Sequence, residues 1–228
     1  MDMETLLSMN WNLMIPEFII LGAAIILSIL DLCMPKQFGR KVLGWFAFGS
    51  IGLAIISLIG LFPLEAGSIL FDTFRLDAFA KAFKLILLLG SAFVMILAVV
   101  HKPRAGMQPY QAEFYYLLLT ALLGAMIMTS SGDLITLFVG LELLSVSSYI
   151  LAGMQKNNQK SAEASMKYVV NGGISTAIIL FALSYMYGVS GTTNIFEIGT
   201  IFATQENSQL QYIAGLSFFI FVIGISFK

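Results

Sequence analysis

The stretch "LITLFVGLELLSVSSYIL", residues 134–151, consists of mostly apolar or small side chains with one acid, Glu142, near its middle. About 20 apolar residues cross the hydrocarbon core of a bilayer as a helix, and a helix satisfies its own backbone hydrogen bonds in lipid. The stretch therefore predicts a transmembrane helix. An acid at a helix centre costs roughly 2.5 to 3.5 kcal/mol on insertion scales, so Glu142 requires a partner or a function.

Apolar runs of similar length recur along the whole chain. Of its 228 residues, 58% are hydrophobic and only 11% are charged, which is too little polar surface to coat a water-soluble globule of this size. We therefore expect an all-α polytopic membrane protein with about seven transmembrane helices. The runs are 15–34, 42–62, 78–100, 113–130, 133–153, 163–188 and 210–228.

Basic residues concentrate in the loops after spans one, three and five, where seven of them lie against one, Arg75, on the opposite side. They are Lys36, Arg40, Lys41, Lys102, Arg104, Lys156 and Lys160. Because cytoplasmic loops carry the excess of Lys and Arg, the N-terminus is expected outside. No Lys or Arg precedes the first apolar run, so no cleaved signal peptide is predicted.

The remaining composition narrows the possible partners. Without a polybasic block, nucleic acid is not an expected partner. The single Cys33 excludes an internal disulfide and a cysteine-based metal site.

Between spans six and seven, "GVSGTTNIFEIGTIFATQENSQ" predicts a short helix on the membrane surface, capped by Thr193 or Asn194.

Three ionisable residues stand out within the predicted spans: Glu142, Lys167 and Lys228. Glu142 lies about 13 Å into span five, and Lys167 enters span six from the opposite side, so a long lysine side chain can reach it. Burial disfavours the charged form of a lone acid or amine, whereas an opposite charge nearby favours it. Such a pair can serve as a proton relay. It can equally be a structural link between helices, although apolar replacements of such pairs often cost no stability.

Other charged residues are given simpler interpretations. Lys81 and Lys84 are expected to extend towards the lipid headgroups, and Glu17 and Asp31 to face the two interfaces. Gly140 is expected to allow close helix approach. The sequence contains no motif for nucleotide binding, metal hydrolysis or a catalytic triad, so nucleotide, iron–sulfur and haem sites are not expected in this chain.

Two neighbouring stretches together resemble a known family. They are "SGDLITLFVGLELLSVSSYILAG", residues 131–153, and "SAEASMKYVVNGGISTAIILFALSYMYGVSGTTN", residues 161–194. Both are similar to the subunit N family of bacterial proton-pumping NADH-quinone oxidoreductase, respiratory complex I. The motifs that carry the resemblance are Leu141-Glu142, the segment 163–168 and the segment 224–228. The resemblance is strong over residues 113–228 and weaker before them.

The resemblance implies an antiporter-like subunit of about fourteen helices, built from two inverted repeats. Residues 1–110 would form helices one to three, and residues 111–228 the first repeat, truncated in its broken seventh helix. Glu142 would tune the proton channel, Lys228 would carry the proton, and Lys167 would add to the hydrated path. Because the chain ends within an apolar run, we expect a fragment or an early-terminated version of a longer protein, which would not pump by itself.

The resemblance also implies a bacterial plasma membrane location and a set of partners. Other membrane subunits of complex I and the lipid bilayer would surround the chain. No cofactor is expected in this chain, since NADH, FMN, iron–sulfur clusters and quinone would be bound by other subunits.

Two alternatives remain. A subunit of a multisubunit sodium/proton antiporter shares the fold and the span-five glutamate, although "EASMKY" and "GVSGTTN" favour subunit N. A non-pumping structural membrane subunit would use Glu142 and Lys167 only to hold helices together.

Overall fold

The computed structural model describes residues 10–34, 39–101, 110–204 and 207–228. In these ranges seven helices are long and apolar enough to cross a membrane, which confirms the predicted number of spans. The chain is thus a multi-span membrane protein. The elements are α1 (Ile15–Cys33), α2 (Lys41–Gly60), β1 (Gly67–Ile69), β2 (Phe74–Leu76), α3 (Ala78–Val100), α4 (Gln111–Thr129), α5 (Leu134–Ala152), α6 (Gln159–Ser190), α7 (Ile195–Thr204) and α8 (Ser208–Phe227).

Aspartates begin two of the spanning helices. Asp77 accepts a hydrogen bond from the backbone N–H of Ala80 at 2.8 Å before α3, and Asp133 accepts one from Thr136 at 2.7 Å before α5. Such caps satisfy N–H groups that have no partner inside the helix, and each typically contributes about 1 kcal/mol. These two caps therefore fix where α3 and α5 start, on the same side of the bundle.

The first four helices share one apolar core. Its fully buried side chains come from all four helices, so α4 packs with the N-terminal group as well as with α5. The division of the chain at residue 110 stays a prediction. Residues at the centre of this core include Ile20, Leu27, Ala47, Ile51, Leu88, Met95, Tyr115, Leu119 and Met126.

A β-hairpin that the sequence did not predict connects α2 to α3. Its strands are antiparallel, with Gly67 opposite Leu76 and Ile69 opposite Phe74. We call the end of the bundle that carries it the hairpin side.

The tip of the hairpin has an uncommon backbone. Leu70, Phe71 and Asp72 have φ angles of 56°, 56° and 63°, a left-handed region that ordinary side chains rarely occupy. The loop before α5 holds this conformation, because the N–H of Gly132 donates to the carbonyl of Thr73 at 2.8 Å. A Cβ at Gly132 would collide with the carbonyl oxygen of Asp72, so this contact requires glycine.

The loop between the last two spans contains a short helix, α7, as predicted, and its position on the membrane surface stays a prediction. The side chain of Asn194 accepts hydrogen bonds from Phe196 and Glu197 at 2.9 and 3.3 Å. Ile198 is buried against the ends of α5 and α6. The helix therefore covers the hairpin side of the second half of the bundle.

Candidate functional site

Glu142 forms the centre of a polar cluster inside the membrane-spanning region. The Lys228 Nζ atom lies 2.6 Å from Glu142 Oε1 and 3.2 Å from Thr176 Oγ1. The Thr176 hydroxyl donates to the same Glu142 oxygen at 2.8 Å. Three helices therefore meet at one carboxylate oxygen, since Glu142 is on α5, Thr176 on α6 and Lys228 at the end of α8.

Small residues allow α5 to lie close to α4 beside this cluster. An added Cβ at Gly140 would stand 2.9 Å from the carbonyl oxygen of Gly124, and one at Gly124 would stand 2.7 Å from that of Gly140. The two backbones thus touch near Glu142, as the prediction for Gly140 anticipated. Close contacts of this kind are a common way of packing helices in lipid, where no hydrophobic force acts between them.

A buried serine fixes the last turn of α8 against α6. The Ser175 hydroxyl donates to the carbonyl of Gly224 at 2.6 Å, and the N–H of Lys228 donates to the same carbonyl at 3.2 Å. Ser175 precedes Thr176 directly. The contact that positions the Lys228 backbone is therefore adjacent to the one that binds its ammonium group.

The pair of Glu142 and Lys228 is partly accessible. The side chains of Lys228 and Glu142 are 12% and 28% exposed. The Thr176 hydroxyl, which contacts both groups, reduces the cost of holding two charges there. The Thr176 hydroxyl can both donate and accept a hydrogen bond. The proton of the cluster can therefore reside on Lys228, and the Glu142 carboxylate is a second group that can take it.

Lys167 is not brought to Glu142. It pairs with Glu163 on the same helix at 2.5 Å, and the two side chains are 72% and 60% exposed. Thr176, which does contact Glu142, is nine residues further along α6, about 13 Å along the axis. The expected contact of Glu142 with Lys167 is therefore wrong, because Lys167 lies about two and a half helical turns before the residue of α6 that contacts Glu142. Its place in a proton path stays a prediction.

A second acid–lysine pair lies between α1 and α3, where the sequence interpretation was wrong. Lys84 and Glu17 are 2.5 Å apart, with side chains 0% and 3% exposed. Neither reaches a headgroup or an interface, because the hairpin covers this end of both helices. The signal was present in the sequence, since both residues lie near the starts of spans that enter from the same side.

Two further predicted interface residues have partners. Lys81 is also buried and donates to the carbonyl of Leu64 at 2.6 Å, so it does not extend to lipid headgroups either. Asp31 lies at the far end of α1, as expected, 3.3 Å from Arg40.

Within the described ranges, no three His, Cys, Asp or Glu side chains are grouped so that they could hold a metal ion.

Comparison with known proteins shows which sequences and folds the chain resembles. Residues 131–228 match the family described as "NADH:quinone oxidoreductase/Mrp antiporter, TM". Over all 228 residues the chain is 57% identical to NADH-quinone oxidoreductase subunit N of Geobacillus sp. (strain WCH70). The C-terminal part of the chain is thus similar to this antiporter family, and the whole chain is similar to subunit N proteins. It spans about half the length of the curated relatives it matches, since it aligns with 46% of the Geobacillus protein.

Solved structures show that the antiporter-like fold is shared. The chain matches a chain of respiratory complex I from Thermus thermophilus with bound aureothin at a TM-score of 0.71, covering 93% of this chain and 43% of the other. It matches the archaeal membrane-bound sulfane sulfur reductase at 0.74, covering 95% and 44%. Both are 24% identical, so they support the fold alone. The predicted first half of a longer antiporter-like fold is confirmed.

Proposed function

We propose that the chain is the N-terminal part of a membrane subunit of NADH-quinone oxidoreductase, which couples electron transfer from NADH to quinone with proton translocation. The observation that carries the proposal is the contact of Glu142 with Thr176 and Lys228, within the segment that matches the antiporter family. Redox chemistry is assigned to other subunits, which would bind NADH, FMN, iron–sulfur clusters and quinone. The partners are the other membrane subunits of complex I.

The proposed mechanism is a change in how closely Glu142 and Lys228 approach each other. At 2.6 Å the carboxylate stabilises the ammonium form of Lys228, so the lysine retains its proton. When the two groups separate, the charged lysine is left in an apolar environment and releases the proton more readily. Thr176 contacts both groups and can guide the proton between them. Lys167 is proposed to act nearer the end of the bundle opposite the hairpin, where its side chain is open to water or to a neighbouring subunit.

The proposed orientation places the hairpin side outside a bacterial plasma membrane. The opposite end of the described bundle carries four basic residues, and the hairpin carries Arg75. This distribution of basic residues supports placing the end of the bundle opposite the hairpin in the cytoplasm. Lys36, Lys102 and Arg104, which also entered the sequence prediction, lie outside the described residues. The four described residues are Arg40, Lys41, Lys156 and Lys160.

The test replaces Glu142 by Gln in the subunit as it assembles in native membranes. Acidification of inverted vesicles is measured after addition of NADH, together with the rate of NADH oxidation. Losing a charged hydrogen bond of about 1.5 to 3 kcal/mol should slow proton transfer at this site roughly tenfold or more. Glu113→Gln is the control, because Glu113 is a carboxylate 3.9 Å from Lys156 near the opposite end of the bundle.

Three outcomes distinguish the interpretations. Reduced proton pumping per NADH in Glu142→Gln, with Glu113→Gln unchanged, supports the proposal. Unchanged pumping in the fully assembled complex means that Glu142 only links helices. Sodium-dependent transport without any response to NADH would indicate a sodium/proton antiporter subunit.

A further inference from the structure

The Glu17 and Lys84 pair is separate from the Glu142 cluster. It joins α1 to α3, whereas the Glu142 cluster joins α5, α6 and α8. Apart from the 2.5 Å contact between Lys84 Nζ and Glu17 Oε1, neither Glu17 oxygen nor the Lys84 nitrogen has a hydrogen-bond partner among the described residues. Both side chains are buried. The pair is thus an isolated acid and amine, enclosed together.

The hairpin closes the site with apolar side chains. The buried cluster at this end comes from the turn before α1, the end of α2, both strands and the start of α3. The Phe74 ring centroid lies 4.6 Å from Lys84 Nζ, within the range of a cation–π contact. The members of the cluster are Leu13, Leu61, Ile69, Phe74, Leu76 and Ala80.

The nearby charged groups are occupied elsewhere. Asp77 caps α3 by accepting from the N–H of Ala80, and Lys81 donates to the carbonyl of Leu64. The Arg75 guanidinium lies over the Phe196 ring at 4.3 Å. These contacts leave Glu17 and Lys84 as each other's closest charged partner.

Removing two charges from water is costly, and their attraction offsets this cost only when further hydrogen bonds satisfy both groups. The Glu142 and Lys228 pair has such support from Thr176, but the Glu17 and Lys84 pair has none among the described residues. The neutral form, an amine beside a carboxylic acid, keeps the same short hydrogen bond without burying net charges. The ionic and neutral forms of this pair are therefore close in free energy.

We propose that Glu17 and Lys84 form a second proton-exchange site. One proton moves along the contact from Lys84 Nζ to Glu17 Oε1, which converts ammonium and carboxylate into amine and carboxylic acid without any other reactant. Only the ammonium form attracts the Phe74 ring, so the position of the proton also affects how firmly the hairpin sits on α3. The inference is independent of the function proposed for Glu142.

Infrared spectroscopy of the chain in lipid nanodiscs at pH 7.5 tests the site. Exposed carboxyl groups are ionised at this pH, so a carbonyl stretching band of a carboxylic acid reports a protonated, buried acid. We expect this band in the native chain, its loss in Glu17→Gln and its retention in Glu142→Gln. In Lys84→Met the band should grow, because Glu17 then faces only apolar groups and becomes fully protonated.

The Lys84→Met variant keeps the test decisive even when Glu17→Gln fails to fold. If the native chain lacks the band and Lys84→Met shows it, the native pair is fully ionised and the proposal is wrong. If the band disappears in Glu142→Gln instead, the protonated acid is Glu142 and the proposal is also wrong. A native band that survives Glu142→Gln and grows in Lys84→Met supports it.

Discussion

A single carboxylate oxygen, Oε1 of Glu142, accepts from both the Lys228 ammonium at 2.6 Å and the Thr176 hydroxyl at 2.8 Å. Hydrogen bonds that involve a charged group are shorter and about twice as strong as neutral ones. The hydroxyl lies beside the acid and the base and contacts both. Thr176 is therefore the neutral residue on which the geometry of the pair depends most.

Replacing Thr176 by Val removes this hydroxyl while keeping the side-chain shape. We expect the free energy of unfolding to fall by about 1 to 3 kcal/mol, because a partly buried carboxylate loses a donor, and NADH-driven pumping to slow. Denaturant unfolding in detergent and vesicle acidification measure the two effects. Thr129→Val is the control, since the Thr129 hydroxyl bonds only to the carbonyl of Met126 in its own helix. Equal effects of the two substitutions would contradict the assigned role.

The two acid–lysine pairs show how far single residues can be predicted from this sequence. Glu142 stood out because it interrupts an apolar run, and the resemblance supplied Lys228 as its partner, which the structure places at 2.6 Å. The number of residues from the start of each span favoured Lys167 as the partner of Glu142. This estimate was misleading, because it shows neither where a helix starts nor which side of it faces the neighbouring helix. Glu17 and Lys84 were missed since each, taken alone, is explained by lying near a helix end.

At the scale of elements, α5 and α6 are held together by a tyrosine that fits against glycine. An added Cβ at Gly172 would collide with the hydroxyl and ring of Tyr149, whereas one at Gly173 would meet nothing within 4 Å. The two neighbouring glycines therefore form a matched pair for testing this helix contact.

Gly172→Ala should destabilise the chain by about 1 to 3 kcal/mol, the usual cost of forcing an extra methyl group into a packed interface. Gly173→Ala should be neutral or slightly stabilising, because Ala is a better helix former than Gly by about 1 kcal/mol. Thermal unfolding in detergent compares the two variants. Similar midpoints for both would mean that α5 and α6 do not pack as described.

Helices were predictable from this sequence and the hairpin was not. Length and apolar content fix a membrane helix, so the seven spans matched to within a few residues, apart from the earlier start of α6. The hairpin depends on Leu70, Phe71 and Asp72 in left-handed conformations. Those conformations are imposed by a contact with Gly132, which is distant in sequence and which no local pattern indicates.

For the molecule as a whole, the distribution of basic residues predicts its direction in the membrane. Phe71 at the hairpin tip is 76% exposed, and Asn157 before α6 is exposed on the opposite side. In a Cys33→Ser background the chain has no other cysteine. Single cysteines at these two positions can therefore report the orientation directly.

A membrane-impermeant maleimide should label Phe71→Cys on intact cells, and Asn157→Cys only after the membrane is permeabilised. This result follows from the positive-inside distribution. Labelling in the opposite order would reverse the proposed orientation, and with it the direction in which the relay of Glu142 and Lys228 delivers protons.

The central claim is that Glu142 works with Lys228 as one proton-handling unit, and a double-mutant cycle tests it most directly. NADH-driven proton pumping in assembled complexes is measured for Glu142→Gln, Lys228→Met and Lys167→Met, and for the doubles of Glu142→Gln with each lysine variant. Residues that act as a unit are non-additive, whereas distant, independent ones add. The account predicts that the Glu142→Gln/Lys228→Met double pumps no worse than the poorer single variant, while the double with Lys167→Met shows additive losses. Additive losses for Glu142 and Lys228, or non-additive losses for Glu142 and Lys167, would contradict it.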